Sequence, residues 1–91
     1  MSGIAQQVGG YKQISATGNV SPIDAKLLGI FVSASTSGTV TIYDSASTTT
    51  TTKVIDTVTL TAGTWYTMPI GFASGIYIVV SGTLSATVVY A

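Results

Sequence analysis

Three aspartates, three lysines and five tyrosines are all the titratable side chains of this 91-residue chain, which has no histidine and no cysteine. General acid–base chemistry needs a group tuned toward neutral pH. The residues that usually supply one, His, Cys and Glu, are all missing. A Ser–Lys nucleophile pair is conceivable among so many hydroxyls, but no motif places a lysine beside a serine in the required way. The expectation is a protein that is not an enzyme and carries no cofactor. Zinc sites of the usual kinds need His or Cys, so none is expected. Calcium asks for six or more oxygens, whereas Asp24, Asp44 and Asp56 stand apart in the sequence with no Asp-x-Asp loop. Their carboxylates are expected to cap turns.

Aromatic side chains are the remaining candidates for recognition. Trp65 and Tyr66 are adjacent, so on a strand they face opposite sides. A sugar-stacking platform is one reading. The plainer one puts Trp65 in the core and Tyr66 on the rim of a subunit contact, since aromatics are the usual interface anchors.

Charge is the most informative property. Lys12, Lys26, Lys53, Asp24, Asp44 and Asp56 make the chain 7% charged, with a net charge of zero. Ordinary domains are about 25% charged. Little repulsion keeps copies of such a chain apart. Three scattered lysines cannot follow a phosphate backbone, so nucleic acid is not an expected partner. The apolar runs are far too short for a membrane-spanning helix, and no membrane partner is expected. Residues 1–10 have neither a basic segment nor an apolar one and do not read as a secretory signal. Synthesis and folding in a cytoplasm, followed by assembly, is the expected history.

The elements that must position these groups are strands. Thr, Val, Ile and Tyr dominate, residues that suit a pleated surface. Turn residues interrupt the apolar runs every 8–12 residues or so, the rhythm of an all-β sandwich or barrel. Residues 1–10 read as an N-terminal arm anchored by Ile4 and Val8, ahead of a single domain over 11–91. Strands are expected over 11–17, 26–35, 38–44, 53–60, 64–72, 75–81 and 83–90. The intended turns fall at Gly18-Asn19, Ser37-Gly38, residues 61–63, residues 73–75 and Ser81-Gly82. In the 26–35 strand, Leu28, Ile30, Val32 and Ala34 share one face by period two. Leu27 and Phe31 make the other face apolar as well, which suggests a subunit contact there. Asp56 falls on the face of Val54, Val58 and Leu60, so a bulge or rim position is expected. Pro69 implies an edge strand or a bend. The five threonines at 48–52 form a low-complexity loop or edge segment. The fold class is thus all-β: a compact antiparallel β-sandwich of seven or eight strands, jelly-roll-like, with an immunoglobulin-like topology second.

Five segments occur in order: YKQISA at 11–16, LGIFVS at 28–33, GTVTIYD at 38–44, LTAGTWY at 60–66 and GIYIVVSGT at 75–83. Their pattern of hydrophobics, glycines and a Tyr-Asp strand end resembles small virion proteins of tailed phages and prophages. The resemblance covers most of the chain from Tyr11 to Tyr90 and marks core and turn positions, so it transfers no functional residue. It implies a β-sandwich associated with virions, with a capsid decoration (cement) role. The partners would be the major capsid protein or other virion proteins and further copies of the chain, a trimer being favoured. The location would be the capsid surface, after assembly in the host cytoplasm. The alternative is a tail-associated or receptor-binding module that binds carbohydrate. Ile4, Val8, Tyr11, Phe31, Tyr66 and Tyr77 are the candidate partner-binding residues.

Overall fold

The structure is a computed structural model and describes residues 10–91. It is all-β, with six strands among the described residues: β1 (Gly10–Ile14), β2 (Gly18–Ser21), β3 (Ala25–Asp44), β4 (Lys53–Thr59), β5 (Thr64–Phe72) and β6 (Ile76–Tyr90). All pair antiparallel in one sheet. Ile4 and Val8 lie outside the described residues. Gly10, expected to end the arm, already belongs to β1 and pairs with Tyr90.

The sheet is built on a long ribbon formed by β3 and β6, paired from Leu27–Tyr90 to Asp44–Ile76. Other strands flank each half. The first half of β3 pairs with β5 and the second with β4. The last part of β6 pairs with β1 and its first part with β2. Each half of the ribbon thus has a strand on both sides. Fully extended, the 20 residues of β3 would reach about 66 Å, but the molecule is only 40 Å in its longest dimension. The ribbon must therefore bend.

The bend is encoded by length. Positions 27–44 of β3 (18 residues) span positions 76–90 of β6 (15 residues), so β3 carries three extra residues, one at each register shift. The shifts fall between Leu27 and Gly29, Val32 and Ala34, and Thr36 and Thr39. An unpaired extra residue kinks its strand and increases the local twist. At the third shift Ser37 and Gly82, on opposite strands, both have positive φ, 56° and 77°. Ser35 Oγ fastens this corner, accepting from Gly38 N at 3.1 Å and donating to the Leu60 carbonyl at 2.9 Å.

This explains the strand count. Ser37-Gly38 and Ser81-Gly82 were both expected to be turns. They lie nearly opposite each other, so both strands kink together and the ladder continues through them. Gly18-Asn19 is likewise strand rather than turn. Asn19 pairs with Tyr77 in β2, and its amide donates to the Ser45 and Ser47 carbonyls at 3.1 Å each.

The bulges also set which residues enter the core. Leu28 is the extra residue at the first shift, so Leu27 joins Ile30 and Val32 on the inner face and Leu28 does not. Ala34, past the second shift, is exposed. Val40 and Ile42 from β3, Ile76 and Ile78 from β6, and Leu84, Ala86 and Val88 further along β6 are inward as their periodicity implies. Both halves of the sheet contribute to one apolar cluster, completed by Ile14, Val20, Leu60 and Phe72. In β4 the register slips on both sides of Ile42, and Asp56 sits in the resulting bulge, exposed and paired with Lys53 at 3.2 Å.

Asp44, where β3 ends, caps the turn before β6. Its Oδ1 accepts from Ser74 N (2.8 Å) and Gly75 N (3.3 Å), and Oδ2 from Ala73 N (3.1 Å). These bonds, that from Ser74 above all, hold its carboxyl below the usual carboxylate range. Asp56 likewise accepts from Thr57 N at 2.7 Å. Asp44 thus performs the turn-capping role expected of the aspartates, Asp56 holds its bulge in β4, and the side chain of Asp24 makes no hydrogen bond among the described residues.

Two outcomes follow. A Cβ at Gly82 would run into the Ser37 carbonyl and the residue sits at positive φ, so Gly82→Ala should lower stability by about 2 kcal/mol or more, read as a lower urea midpoint. Because the folded pKa of Asp44 is depressed, its contribution is present above the unfolded value and lost as pH falls through the folded one. Wild-type stability should decline below about pH 4, and Asp44→Asn should flatten that decline while lowering stability at pH 7, as measured by urea melts across pH.

Candidate functional site

Residues directly opposite in an antiparallel ladder share a face, so the register defines what each face presents. On the outer side of the half built from β1, β6, β3 and β5, one row runs Gln13, Thr87, Phe31, Trp65. The next runs Tyr11, Val89, Gly29, Thr67. Neither row contains a charged residue. Tyr11 is 74% exposed, Trp65 46% and Phe31 42%.

Trp65 is outward, not in the core. Along β5, Tyr66, Met68, Ile70 and Phe72 form an unbroken period-two apolar set, while the other phase holds Trp65, Thr67, Pro69 and Gly71. The four-residue apolar set goes inward, and Trp65 is left outside. There the indole lies down across β3 over Gly29. A Cβ at position 29 would stand 2.5 Å from Trp65 Cζ2 and Cη2 and 2.6 Å from the Tyr66 carbonyl oxygen. The missing side chain is what lets the six-membered ring of the indole come this close, while Trp65 stays 46% exposed, an arrangement that also shields the glycine backbone.

The expected partner-binding residues separate. Tyr11 and Phe31 share this face. Tyr66 points the opposite way, packs half-buried against the core, and its phenol accepts from Thr61 N at 2.8 Å, which lowers its pKa. Tyr77 belongs to the other half of the sheet and is only 8% exposed. Its ring stands 6.1 Å from that of Tyr43, and Asn19 beside it draws the Ser45–Ser47 backbone over that side. Tyr66 and Tyr77 thus lie apart from the face that holds Tyr11 and Phe31, with their side chains engaged by neighbours within the fold. Trp65, Thr67, Thr87 and Gln13 are the members of the face that periodicity alone did not assemble. The period-two apolar set of β5 was the available signal for Trp65.

No protein-family model matches the chain, and neither does any curated protein or solved structure. The face must therefore be read from its own geometry. Among the described residues no three of His, Cys, Asp and Glu gather into a possible metal site. A cleft of about 420 Å³ at the Lys26 end of the sheet is lined by Asp24, Lys26, Phe72 and Ala91. It brings together no third polar side chain that would grip a ligand.

The face can supply apolar contact without ions to desolvate. Its three aromatics expose roughly 350 Å², the size of the larger patches found on monomers. Burying that area is worth about 9 kcal/mol before the costs of association.

The dependence of Trp65 on Gly29 is directly testable. Gly29→Ala should lift the indole from the sheet, red-shift the emission of this sole tryptophan, and cost about 1–3 kcal/mol. Unchanged emission would show that the ring does not rest on Gly29.

Proposed function

We propose that this chain is a bacteriophage virion structural protein, a capsid decoration (cement) protein that binds at capsomer junctions and stabilises the head. The observation that carries this reading is the pair of uncharged rows on the outer face that bear Tyr11, Phe31 and Trp65, with Lys26 beyond them at the end of the sheet. Aromatic anchors surrounded by uncharged polar residues are how the core of a protein interface is composed. Six charges in 91 residues mean that little ion desolvation opposes docking. The resemblance to small virion proteins supplies the setting. The major capsid protein is then the partner, and copies of the chain also touch one another. The accompanying fold reading is a sandwich-like, jelly-roll-related arrangement, with the two halves of the bent sheet closing over their common core.

The outward position of Trp65 favours one second reading, a tail-associated or receptor-binding module. An exposed indole among Thr67, Thr87 and Gln13 offers a surface on which a neutral sugar ring would stack.

Phe31→Asp separates these readings. It places a charge at the centre of the face without touching the core. As a decoration protein, the folded variant should bind particles at least tenfold more weakly, and purified virions should carry hundreds of wild-type copies. Six or twelve copies per virion, together with saturable glycan-array binding lost in Trp65→Ala, would favour the receptor-binding module. Full particle binding by Phe31→Asp would remove the face from the interface. Docking without ions should also be little changed by added salt in the physiological range.

A further inference from the structure

Four strands, β1, β2, β4 and β5, have an edge with no neighbour among the described residues. Free edges invite pairing with other chains, and proteins guard them with short length, charge, proline or bulges. β1 has five residues with Lys12 at its centre. β2 has four, shifts register and runs into Pro22. β4 shifts register twice and carries the Lys53–Asp56 pair. β5 differs. Its nine residues include no charge, and from Thr64 to Thr67 it follows β3 without a shift. Pro69 and the register shift guard only its far end. The edge from Thr64 to Thr67 is unguarded, and Met68, where the shift begins, completes the stretch 64–68.

That stretch has matching limits. Gly63, with φ of 75°, lies three residues before Tyr66, and Pro69 three residues after. In an antiparallel pairing of two copies centred on Tyr66, Thr64 meets Met68 of the second copy, Trp65 meets Thr67, and Tyr66 meets Tyr66. Pro69, which has no N–H to give, then falls opposite Gly63 and outside the ladder. No like charges face each other.

We propose that the β5 edge pairs with the β5 edge of a second copy of this chain, about a two-fold axis at Tyr66. The pairing joins the two aromatic faces side by side, since each Trp65 stands beside the other copy's Thr67. It is two-fold rather than the three-fold arrangement expected from the sequence. A five-residue ladder is about 16 Å long and buries well under the roughly 1,200 Å² of a free-standing interface. The dimer is weak in dilute solution and fills when copies are concentrated on a common surface. The proposal takes that setting from the assembly function proposed above, but the contact is tested on the isolated full chain.

Sedimentation equilibrium up to about 1 mM should show the mass rising above the 9.2 kDa monomer. Amide exchange within residues 64–68 should slow with concentration. Thr67→Lys, at an exposed site on the edge, should weaken association about tenfold or more with unchanged circular dichroism. Thr59→Lys, at an exposed site on β4 in the other half of the sheet, should leave it intact. A mass that stays monomeric to about 1 mM, exchange in residues 64–68 that ignores concentration, or association indifferent to Thr67→Lys in the folded variant overturns the proposal. The exchange measurement on wild type decides the matter should Thr67→Lys fail to fold. None of these outcomes depends on whether the chain belongs to a virion.

Discussion

A ladder of main-chain hydrogen bonds between two strands of unequal length governs this structure. β3 sets 18 residues against 15 of β6, and the surplus leaves as three bulges. A bulge bends its strand, and three surplus residues on the same strand give a ribbon that cannot lie straight. The bend lets a single sheet cover its own apolar surface. Ile30, Val32 and Val88 from one half and Val40, Ile42 and Ile78 from the other enter one cluster. A flat six-stranded sheet with the same residues would leave that face in water. The corner relies on opposed positive-φ residues, Ser37 and Gly82, and on Ser35, whose hydroxyl joins it to the strand that follows.

The aromatic face is a by-product of the same phase choices. Once four apolar residues of β5 are committed inward, Trp65 has only the outer face, and Gly29 gives it somewhere to lie. Phe31, between the inward Ile30 and Val32, falls on that face too. Tyr11 arrives from β1 across β6. None of the three is near another in sequence. The opposite half of the sheet is finished differently. The tilted rings of Tyr43 and Tyr77 lie side by side there, and Asn19 and Ser45 fix the loop that follows β3, with Ser45 Oγ accepting from Ser47 N and Thr49 N at 3.1 Å each. The two outer surfaces thus differ, one open and aromatic, the other tied down and rich in hydroxyls.

Charge depletion has a different meaning at each remaining carboxylate. Asp44 and Asp56 use their oxygens on main-chain N–H groups. They serve as turn and bulge fixtures, so two of the three carboxylates are spent on architecture. Apart from a few charges such as Lys12, Asp24 and Lys26, what is left at the surface is hydroxyl, amide and aromatic, a composition suited to contact and poorly suited to steering ions.

By itself the sequence determined the all-β class, the antiparallel alternation of the second halves of β3 and β6, the turns at residues 61–63 and 73–75, the bulge at Asp56 and the edge position of Pro69. Those properties are local, set by period-two patterning and by residues with restricted backbone. Strand number, the burial of Leu27 in place of Leu28, and the membership of the aromatic face were decided by tertiary structure. A Ser-Gly pair reads the same whether it reverses the chain or kinks it, and only the strand lying opposite tells the two apart. A bulge moves every later side chain to the other face, so one unpaired residue redistributes core and surface over a whole strand. Tyr66 went inward, Tyr77 was covered on the outer side by its neighbours, and Trp65 stayed exposed, because burial is settled by the neighbours a residue acquires across the sheet, and those are distant in the chain.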